Sequence, residues 1–484
     1  MPGYYVENFG CRATQADGAA LERQFADQGL ERASSPSQAS VVVLNTCTVT
    51  SAADQDARSA IRRVRRQNPE AKIVVTGCYA QRAPEEIAAL PGVSLVVGNS
   101  HKHQLAEIAL PGSLSVSAAK SFVPLQTLSM STGSPKLEAG SPIFVSDIFA
   151  HTELLAASVF DAANERTRPN LKIQDGCDNR CSFCVIPYVR GQSRSLESAR
   201  IIQEVNTLVE AGYREVVISG INLGRWGRDL PANVSTRGVG QRPTTNDQRL
   251  VALIRTILAD TSLEKLRISS IEPMDWSDEL IELVATAPRI AKHAHVPMQS
   301  GSDAVLRRMH RKYRPWHYRE KIEKIRAAMP DAAIGADVMV GFPGETDAEF
   351  EVTRKMIEDL PFTYLHVFTY SARPGTPAAE MKNQVPVHIA RERNRVLREL
   401  ASVKKLTFMR SFVGKTVQAI TLNVVGKDED GEFTEALADN YLKVRLRGRY
   451  KLNTWVESAV VDVVSGSLLS QTDSHTLKAL QKPS

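Results

Sequence analysis

The feature that most constrains this chain is a compact cysteine motif directly after a predicted strand. Cys177, Cys181 and Cys184 have the spacing Cys-x3-Cys-x2-Cys. So short a loop can ligate three irons of a four-iron cluster and leave the fourth iron open to another ligand. A structural zinc site would need a fourth protein ligand at similar spacing, and none is near. An inert structural cluster is the other alternative, and we favour a cluster with an open iron at which chemistry can occur.

Six strand-and-helix units make up the segment that contains this motif. Gly212 closes one of its helices, and Thr346 with Glu349 forms a capping box at the start of another. Repeated β/α units predict a closed or partial parallel barrel whose site lies at the carboxyl ends of the strands. The cysteine motif lies at that end of the first strand. The strands are predicted near 171–175, 215–219, 265–269, 293–297, 333–340 and 364–370.

The other three cysteines, Cys11, Cys47 and Cys78, each follow a predicted strand near the start of the chain. Val41–Asn45 and Lys72–Thr76 are short apolar runs of the kind found in buried parallel strands. Because the carboxyl ends of parallel strands share one edge of a sheet, the three thiols can converge there. Cysteines in a reducing compartment indicate metal ligands rather than disulfides. We therefore predict a second three-cysteine cluster site.

The bulk composition is that of an ordinary globular protein. Of the 484 residues, 43% are hydrophobic and 24% are charged, and this length predicts several domains. The chain does not begin with a basic segment followed by an apolar stretch, and no apolar run approaches the ~20 residues that span a bilayer. We expect a cytoplasmic protein without a membrane partner. The net charge of +6 permits a nucleic-acid partner without requiring one.

The pattern of residues divides the chain into five segments. The second segment is rich in serine and proline, and the fourth is short and rich in predicted strands. A loop at 225–249, after the second strand of the third segment, looks expanded. The segments are an N-terminal α/β domain at 1–110, a linker or insertion at 111–168, the β/α barrel at 169–403, a small β domain at 404–470 and a tail at 471–484.

A basic residue occupies every odd position from 443 to 451 in the β-rich segment. Because side chains alternate across a strand, these five cations would share one face, while Leu442, Val444 and Leu446 face a small core. A row of cations matches the phosphate backbone of RNA and gives salt-dependent binding. The alternative is a solvated strand face, which is the usual role of a charge run. We favour RNA contact by Lys443, Arg445, Arg447, Arg449 and Lys451.

With these motifs in place, the chain resembles the radical S-adenosylmethionine enzymes, and among them the methylthiotransferases. The resemblance covers nearly the whole chain. The fold class that it implies is α/β, with an N-terminal parallel α/β domain, a partial (β/α)6 radical S-adenosylmethionine barrel and a small C-terminal β-barrel of the RNA-binding TRAM type. Beyond the cysteines, the resemblance rests on the runs Ile186–Gly191, Arg194–Ser195, Ser219–Gly224, His295–Ser302 and Gly335–Thr346.

The resemblance implies S-adenosylmethionine and two 4Fe-4S clusters as cofactors. The cluster on Cys177, Cys181 and Cys184 would bind S-adenosylmethionine and generate a 5′-deoxyadenosyl radical. The cluster on Cys11, Cys47 and Cys78 would carry the sulfur that is methylated and transferred. Residues at the strand ends are expected to contact the cofactor, although each can instead pack or cap the barrel rim. They are Phe183, Ser219, Gly220, Asn222, Ser270, Glu272, Gln299 and Asp337.

Members of this family modify either adenosine 37 beside the tRNA anticodon or an aspartate of a ribosomal protein, and the basic strand favours RNA. The runs Leu266–Pro273 and Lys172–Cys177 look like the subfamily that acts on N6-threonylcarbamoyladenosine, rather than the one that acts on isopentenyladenosine. We therefore expect three partners: the anticodon arm of tRNA, a sulfur donor, and an electron donor such as flavodoxin or ferredoxin. The alternatives are the other two substrates and a non-enzymatic iron–sulfur sensor that binds RNA.

Overall fold

The computed structural model describes residues 3–110, 141–151, 154, 168–231 and 248–471. Most of the predicted insertion at 111–168, the middle of the loop at 225–249 and nearly all of the tail lie outside the described residues. The chain forms two compact units. The first is Met1–His151 with Tyr188–Arg190, and the second is Thr152–Pro187 with Gly191–Ser484. None of the described helices combines the length and the apolar character needed to cross a membrane.

The first unit is built on one parallel sheet with helices between successive strands. Its strands are β1 (Gly3–Asn8), β2 (Glu31–Arg32), β3 (Val41–Thr46), β4 (Lys72–Gly77), β5 (Val93–Gly98) and β6 (Ile143–Phe144). Its helices are α1 (Arg12–Asp27), α2 (Ser51–Gln67), α3 (Cys78–Arg82), α4 (Pro84–Ala88) and α5 (Leu105–Ala109). The strand order is β2-β1-β3-β4-β5-β6, and every neighbouring pair is parallel. The predicted parallel α/β domain is confirmed.

Residue type and burial explain the local structure of this unit. Every residue of β3 is buried, which explains its continuous apolar run. Gly29 follows α1 with a φ of 79°, a conformation that glycine adopts without strain, and Pro84 begins α4. The strands β2, β5 and β6 were not predicted. Of these, β2 and β6 are each only two residues long and exposed, so they leave no periodic pattern.

The second unit begins with a partial barrel. Its strands are β7 (Asn170–Asp175), β8 (Arg194–Ser195), β9 (Glu215–Gly220), β10 (Lys265–Ile268), β11 (His293–His295), β12 (Ala333–Val340) and β13 (Tyr364–Thr369). The helices are α6 (Ile186–Arg190), α7 (Ser198–Glu210), α8 (Gln248–Asp260), α9 (Asp278–Thr286), α10 (Asp303–Arg308), α11 (Pro315–Ala328), α12 (Asp347–Asp359) and α13 (Val387–Arg410).

The six predicted strands of the barrel are all present and run parallel. One sheet has the order β10-β9-β7-β8 and the other β11-β12-β13, and a parallel bridge between Leu266 and Ile290 links the two. The short β8 is antiparallel to β7 and was not predicted. The outward side chains of the strands, such as Ala336 and Val338, belong to a large core that also contains the inner faces of the helices. The capping box of Thr346 and Glu349 is formed.

The C-terminal part of the second unit is a closed five-stranded β-barrel. Its strands are β14 (Thr416–Asp428), β15 (Gly431–Ala438), β16 (Lys443–Arg447), β17 (Trp455–Val464) and β18 (Ser467–Gln471), in the order β14-β15-β16-β18-β17. The sequence predicted β14, β16 and β17. It missed β15 and β18, because their small and polar residues lack the apolar alternation that marks a strand.

The basic row of the C-terminal barrel is shorter than the sequence suggested. Leu442, Val444 and Leu446 are buried in the small core, as expected. However, β16 ends at Arg447, and Gly448 follows with a φ of 95°. The alternation across the strand therefore does not reach the last two basic residues of the predicted row.

A buried arginine of the partial barrel, Arg267, also contacts the C-terminal barrel of the second unit. Arg267 of β10 has its Nε 2.5 Å from a carboxylate oxygen of Glu215 of β9. The same guanidinium donates to the backbone carbonyl of Asp439 at 3.1 Å and stacks over the ring of Tyr441 at 4.2 Å. Both charged side chains are almost fully buried. The strand β10 of the partial barrel thus contacts the turn between β15 and β16.

Candidate active site

The three early cysteines lie at one edge of the parallel sheet of the first unit, as predicted. Cys11 precedes α1 just beyond the end of β1, Cys47 directly follows β3, and Cys78 directly follows β4. The three strands are neighbours and parallel, so their carboxyl ends lie side by side.

Glycines bring these strand ends into close contact. A Cβ atom on Gly10 would lie 2.5 Å from the Cβ and 2.8 Å from the Sγ of Cys47. A Cβ atom on Gly77 would lie 2.3 Å from the carbonyl oxygen of Thr46. Both glycines have positive φ, 94° and 99°. A larger residue at either position would separate the turns that carry the cysteines.

The thiols of this edge disfavour one another's charged forms. Burial, followed by repulsion from Cys78 and Cys11, raises the pKa of the Cys47 thiol to about 12. Around them, Thr14 Oγ1 lies 3.5 Å from the Sγ of Cys11, and Asn99 Nδ2 lies 3.6 Å from the Sγ of Cys78. A cationic centre shared by the three sulfurs would remove both the burial cost and the repulsion. The donor set therefore fits iron.

A buried charged group in the same unit was not predicted. Lys102 Nζ lies 3.0 Å from an oxygen of Asp17 and donates to Asn45 Oδ1 at 3.1 Å. Arg190 Nη2 lies 3.1 Å from the same oxygen of Asp17. Its positive charge offsets a small part of the rise in the pKa of Cys47 that burial causes. The side chains of the two cations and of Asp17 are almost fully buried. The sequence offers no signal for Lys102 or Asp17, and Arg190 stands out only as part of a run that carries the family resemblance.

The Cys-x3-Cys-x2-Cys motif forms a tight loop after β7. Gly176 has a φ of 71°, and a Cβ atom there would lie 1.9 Å from the carbonyl oxygen of Gln192. The backbone N–H of Cys177 donates to the carbonyl of Gly191 at 3.1 Å. The loop is therefore held by backbone contacts at the carboxyl end of the first barrel strand, where the sequence placed it.

Burial also disfavours the charged forms of two thiols in this loop, Cys177 and Cys184. Burial, and then repulsion from Cys181, raises the pKa of Cys184 to about 12. Burial also raises the pKa of Cys177, against the backbone N–H of Asn179, which lies 3.4 Å from its Sγ. A cationic centre shared by the three sulfurs of this loop would offset the cost of burying thiolates, as in the first unit. This donor set therefore also fits iron.

Arg311 is a further residue of this site that the sequence did not single out. Its Nη1 lies 3.1 Å from the Sγ of Cys181, and its Nη2 forms an ion pair with Glu272, one of the predicted cofactor residues. Its side chain is only 5% exposed. No local pattern in the sequence distinguishes this arginine from the many others, so only the fold reveals its contact with Cys181, a predicted cluster ligand.

Two buried polar atoms beside the loop have no partner within the part of the chain that the structure describes. Ser219 and Gly220 end β9, and Asn222 follows them. Ser219 Oγ and Asn222 Oδ1 lack a hydrogen-bond partner among the described residues, and Asn222 Nδ2 lies 3.7 Å from the Sγ of Cys177. Buried polar atoms are normally paired, so this arrangement suits a polar ligand next to the cysteine loop.

Phe183 and Gln299, also predicted to contact the cofactor, have structural contacts of their own. The ring of Phe183 packs against the main core and lies 6.4 Å, edge to face, from the ring of Phe342. Gln299 has a φ of 62°, and its backbone N–H donates to the carbonyl of Asp337 at 2.8 Å. These contacts agree with the alternative that rim residues pack and pair, and a cofactor contact for either residue stays a prediction.

Asp337 lies between two histidines inside the barrel. One of its oxygens is 3.3 Å from Nε2 of His295 and 3.2 Å from Nδ1 of His366. His295 Nδ1 lies 2.6 Å from the hydroxyl of Ser270. Burial alone would raise the pKa of Asp337, but hydrogen bonds from the two histidines reverse this and bring it below its usual value. Asp337 is therefore a fixed carboxylate at neutral pH, able to accept a hydrogen bond.

Four of the five predicted RNA-contacting residues of the C-terminal barrel have acidic neighbours. The positive charge of the row is therefore partly compensated. This favours a solvated strand face for the paired residues, and RNA contact stays a prediction. The pairs are Lys443 with Glu435 at 3.1 Å, Arg445 with Asp428 at 3.9 Å, Arg447 with Asp428 at 2.5 Å and with Asp430 at 2.7 Å, and Arg449 with Glu432 at 3.3 Å.

Two protein-family models match the chain in the places where the cysteine sites lie. Residues 171–357 match the radical SAM superfamily, in which SAM denotes S-adenosylmethionine. Residues 3–98 match a family described as uncharacterized protein family UPF0004. The two models together contain all six cysteines.

Curated relatives extend the match to most of the chain. It is 35% identical over 91% of its length to the threonylcarbamoyladenosine tRNA methylthiotransferase MtaB of Bacillus subtilis (strain 168), covering 89% of that protein. The protein of the same name from Aquifex aeolicus (strain VF5) is also 35% identical, over 91% of this chain and 96% of its own length. The chain belongs to the radical SAM methylthiotransferase family. This methylthiotransferase is also 31% identical, over 96% of its length, to the tRNA-2-methylthio-N(6)-dimethylallyladenosine synthase of Endomicrobium trichonymphae, covering all of it.

A solved structure shares the fold of this methylthiotransferase. The radical S-adenosylmethionine methyltransferase TsrM from Kitasatospora setae, solved with cobalamin and a [4Fe-4S] cluster bound, superposes with a TM-score of 0.53. The two are 16% identical in sequence, and the match covers 78% of this chain and 77% of TsrM. Likeness at this level of identity concerns the fold alone.

Family membership establishes S-adenosylmethionine and 4Fe-4S clusters as cofactors, with two clusters typical of the family. The residues present fit these groups. Each compact unit contributes one set of three cysteines, and burial raises the pKa of Cys47 in the first set and of Cys177 and Cys184 in the second. The second unit adds buried polar atoms that have no hydrogen-bond partner among the described residues. Three sulfurs per site leave one iron of each cubane without a protein ligand.

Proposed function

We propose that this methylthiotransferase acts on tRNA and converts N6-threonylcarbamoyladenosine at position 37 into its 2-methylthio derivative. The observation that carries this proposal is the 35% identity, over 91% of the chain, to two proteins named for that activity. The presence of two separate three-cysteine sites supports it, because sulfur transfer and radical generation each need an iron–sulfur centre with an open iron.

The loop of the second unit would hold the radical-generating cluster on Cys177, Cys181 and Cys184. S-adenosylmethionine bound there supplies one-electron chemistry that activates an unreactive C–H bond. Arg311 donates to the sulfur of Cys181 and so offsets negative charge on the ligand set. Ser219 and Asn222 present unpaired polar atoms that would orient the polar end of the cofactor.

The sheet edge of the first unit would hold the second cluster on Cys11, Cys47 and Cys78, which carries the sulfur to be transferred. Cys47 and Cys78 are buried, which limits the access of water to this site, while Cys11 is exposed. The buried cations Lys102 and Arg190 are held by Asp17, and the charge of Arg190 favours the thiolate form of Cys47. In this proposal these cations stabilise the negative charge of the loaded site.

The proposed partners follow from this activity. The anticodon arm of tRNA is the substrate, and the basic residues from Lys443 to Lys451 would contact its backbone. An electron donor such as flavodoxin or ferredoxin would reduce the radical-generating cluster, and a sulfur donor would recharge the other. The reaction would take place in the cytoplasm, where tRNA is modified.

A second candidate is methylthiolation of dimethylallyladenosine in tRNA. The 31% identity to a synthase of that name over 96% of this chain supports it. The two candidates differ only in the N6 substituent of the adenosine, so they are separated by supplying tRNA that carries one modification or the other.

The test is anaerobic reconstitution of the purified protein with iron, sulfide, reductant and S-adenosylmethionine. Two tRNA pools are then offered, one bearing threonylcarbamoyladenosine and the other dimethylallyladenosine, and the nucleosides are analysed by mass. We expect a 2-methylthio product from the first pool. A product from the second pool alone would establish the second candidate. Formation of 5′-deoxyadenosine without any methylthio nucleoside would contradict both substrates.

The division of labour between the two sites predicts separable defects. Cys47→Ala should abolish the methylthio product, because it removes a ligand of the proposed sulfur-bearing site. Formation of 5′-deoxyadenosine should continue in this variant, because the other site is unchanged. Cys181→Ala should abolish both. Iron and sulfide content of the two variants, measured before turnover, checks that each has lost one cluster. Methylthio product from Cys47→Ala would show that the first unit does not carry the sulfur.

A further inference from the structure

The strand β13 presents a row of rings on the face that looks into the barrel. Side chains alternate along a strand, and Leu365 and Val367 pack against the main hydrophobic core. The intervening residues, Tyr364, His366 and Phe368, therefore lie on the opposite face. We call these three residues the aromatic row.

The members of the aromatic row contact one another and the neighbouring strand. The ring centroids of Tyr364 and His366 are 5.4 Å apart, and those of His366 and Phe368 are 6.5 Å apart. On β12, Gly335 pairs with Tyr364 and Asp337 with His366. Because Gly335 has no side chain, the Tyr364 ring lies directly over it, where a Cβ atom would be 1.9 Å away. The row is thus a defined part of the barrel wall.

Two rings of the row remain accessible. The side chain of His366 is 56% exposed, and Phe368 is 47% exposed. In contrast, the rings of Phe342 and Phe362 in the same unit are buried. Adjacent exposed aromatic groups in a regular strand indicate an interaction surface, and a flat partner would cover both rings at once.

A hydrogen-bond acceptor is fixed beside the row. One carboxylate oxygen of Asp337 lies within hydrogen-bond distance of ring nitrogens of both His366 and His295. These two contacts lower the pKa of Asp337, so the carboxylate stays ionised, and they hold it between the two rings. A purine base offers an exocyclic N–H at its edge and an aromatic face, so a base stacked on the row could donate to this carboxylate.

The row also leads toward the cysteine loop. Two residues beyond Phe368, the ring of Tyr370 lies 5.5 Å from that of Phe342. Phe342 in turn lies 6.4 Å from Phe183, which directly precedes Cys184. A base held on the exposed end of the row would therefore lie on the side of the barrel where the radical chemistry takes place.

We propose that the aromatic row is the platform on which the target purine of the RNA substrate stacks, with Asp337 accepting a hydrogen bond from the edge of the base. The proposal rests on the proposed function, since it deepens the tRNA assignment by giving the base its binding surface. Base stacking on aromatic side chains is the common means by which proteins hold single-stranded RNA bases. To reach an atom of a stacked base, an enzyme must first draw that base out of the stack that it forms with its neighbours.

The adenine of S-adenosylmethionine is the other purine that this site could hold. The structure favours the RNA base, because β13 is the edge strand of the order β11-β12-β13 and its rings are open to a large partner. The unpaired polar atoms suited to the cofactor lie instead after β9, beside Cys177. The test below separates the two sources.

The experiment is a thermodynamic cycle between one ring and one base. Dissociation constants are measured for the reconstituted protein and its Phe368→Ala variant, each with an anticodon stem-loop RNA that has the target adenosine or an abasic site there. We expect either change alone to weaken binding by roughly five- to 150-fold, the range of one base–aromatic stack. Because the two changes remove the same contact, the second should then cost little.

Matched controls make the result specific. Trp316→Ala removes an exposed aromatic side chain of the second unit elsewhere and should leave RNA affinity unchanged. Phe368→Tyr keeps a ring and should retain most of the affinity. The dissociation constant of S-adenosylmethionine should be the same in wild type and Phe368→Ala, and thermal unfolding checks that each variant is folded.

The outcomes distinguish this proposal from the function on which it rests. If the abasic site costs the same in wild type and Phe368→Ala, the base does not stack on the row, although the enzyme still binds tRNA. If Phe368→Ala weakens S-adenosylmethionine and not RNA, the row holds the cofactor and the proposal is overturned. If the wild-type protein binds no stem-loop RNA and modifies no tRNA, the proposed function fails as well.

Discussion

Individual residues decide the geometry of this methylthiotransferase wherever two chain segments approach closely. Gly335 is the clearest case, since the ring of Tyr364 occupies the space that any side chain there would need. The residue has an extended backbone within β12, so it is required for space rather than for an unusual φ. The absence of one carbon atom therefore fixes the position of the first ring of the aromatic row.

Gly335→Ala should destabilise the protein by about 1–3 kcal/mol, the usual cost of forcing extra atoms into a packed wall. The double variant Gly335→Ala with Tyr364→Leu should recover part of this loss, because the ring that clashes is gone. The check is equilibrium unfolding in denaturant of both single variants and the double variant. Strictly additive effects would mean that the ring is not the source of the strain.

The cysteines of the second unit stand out in the sequence, because three cysteines in a short loop leave a local spacing pattern. Arg311 and His366 do not, although they lie next to predicted site residues. Each reaches its partner across separate elements, Arg311 to Cys181 and His366 to Asp337, and such contacts exist only once the strands are ordered in the barrel. Sequence therefore predicted candidate ligands but not the groups that surround them.

Among the elements, α12 has a start that the sequence predicted completely. The Glu349 carboxylate accepts from the backbone N–H of Thr346 at 2.8 Å and pairs with Arg308 at 2.9 Å. Burial alone would raise its pKa, but the hydrogen bonds of Arg308 and the Thr346 backbone bring it below its usual value. The ionised form is thus the one that stabilises the helix start.

Glu349→Gln should lower stability at neutral pH by about 1 kcal/mol. Because the folded pKa is depressed, this contribution is present above the ordinary glutamate pKa and disappears as the pH falls through the folded value. Thermal unfolding at a series of pH values should therefore show the two proteins converging in acid. Glu358→Gln, at the exposed end of the same helix, is the control and should change little. A difference independent of pH would contradict the assigned role.

The basic strand β16 offers a test of its proposed RNA contact, because its cations have acidic neighbours. Glu435→Gln frees Lys443 and should tighten tRNA binding at low salt, steepening the dependence of log affinity on log salt by up to ~1. Lys443→Gln should have the opposite effect. Binding of labelled tRNA over a salt series measures both. Unchanged slopes in the two variants would mean that this strand face is merely solvated.

Strand prediction succeeded in the partial barrel, where the strands alternate with helices along the chain, and all six were found. It failed for the strand β18, whose pairing is decided at long range. The strand β18 pairs in parallel with β16 and antiparallel with β17, so its place depends on closure of the C-terminal barrel. No local pattern in the sequence contains that information.

In the second unit as a whole, polar contacts couple the two barrels. Lys265 lies 3.3 Å from Asp439, and Asn440 donates to the backbone carbonyl of Asp331 at 3.1 Å. Together with the contacts of Arg267 to Asp439 and Tyr441, they hold the turn between β15 and β16 against the partial barrel.

Arg267→Met should destabilise the second unit by about 3–5 kcal/mol, because it leaves the fully buried Glu215 charged and unpaired. Arg267→Met combined with Glu215→Leu should recover much of the loss, since no uncompensated charge remains. Thermal unfolding of the three proteins provides the measurement. A double variant no more stable than Arg267→Met would show that the contacts to the C-terminal barrel, and not the buried charge, are what the arginine contributes.

The close approach of Gly10 to Cys47, and of Gly77 to Thr46, has a consequence for how the enzyme matures. The walls around the proposed sulfur-bearing site are backbone atoms set by a sheet whose own core, including Leu44, Ile61 and Val75, is built from apolar side chains that are not candidate cluster ligands. Small zinc domains fold only as they capture their ion. Here the apolar core leads us to expect that folding comes first and loading second. A cell short of iron would then accumulate a folded, idle enzyme that regains activity when the metal returns.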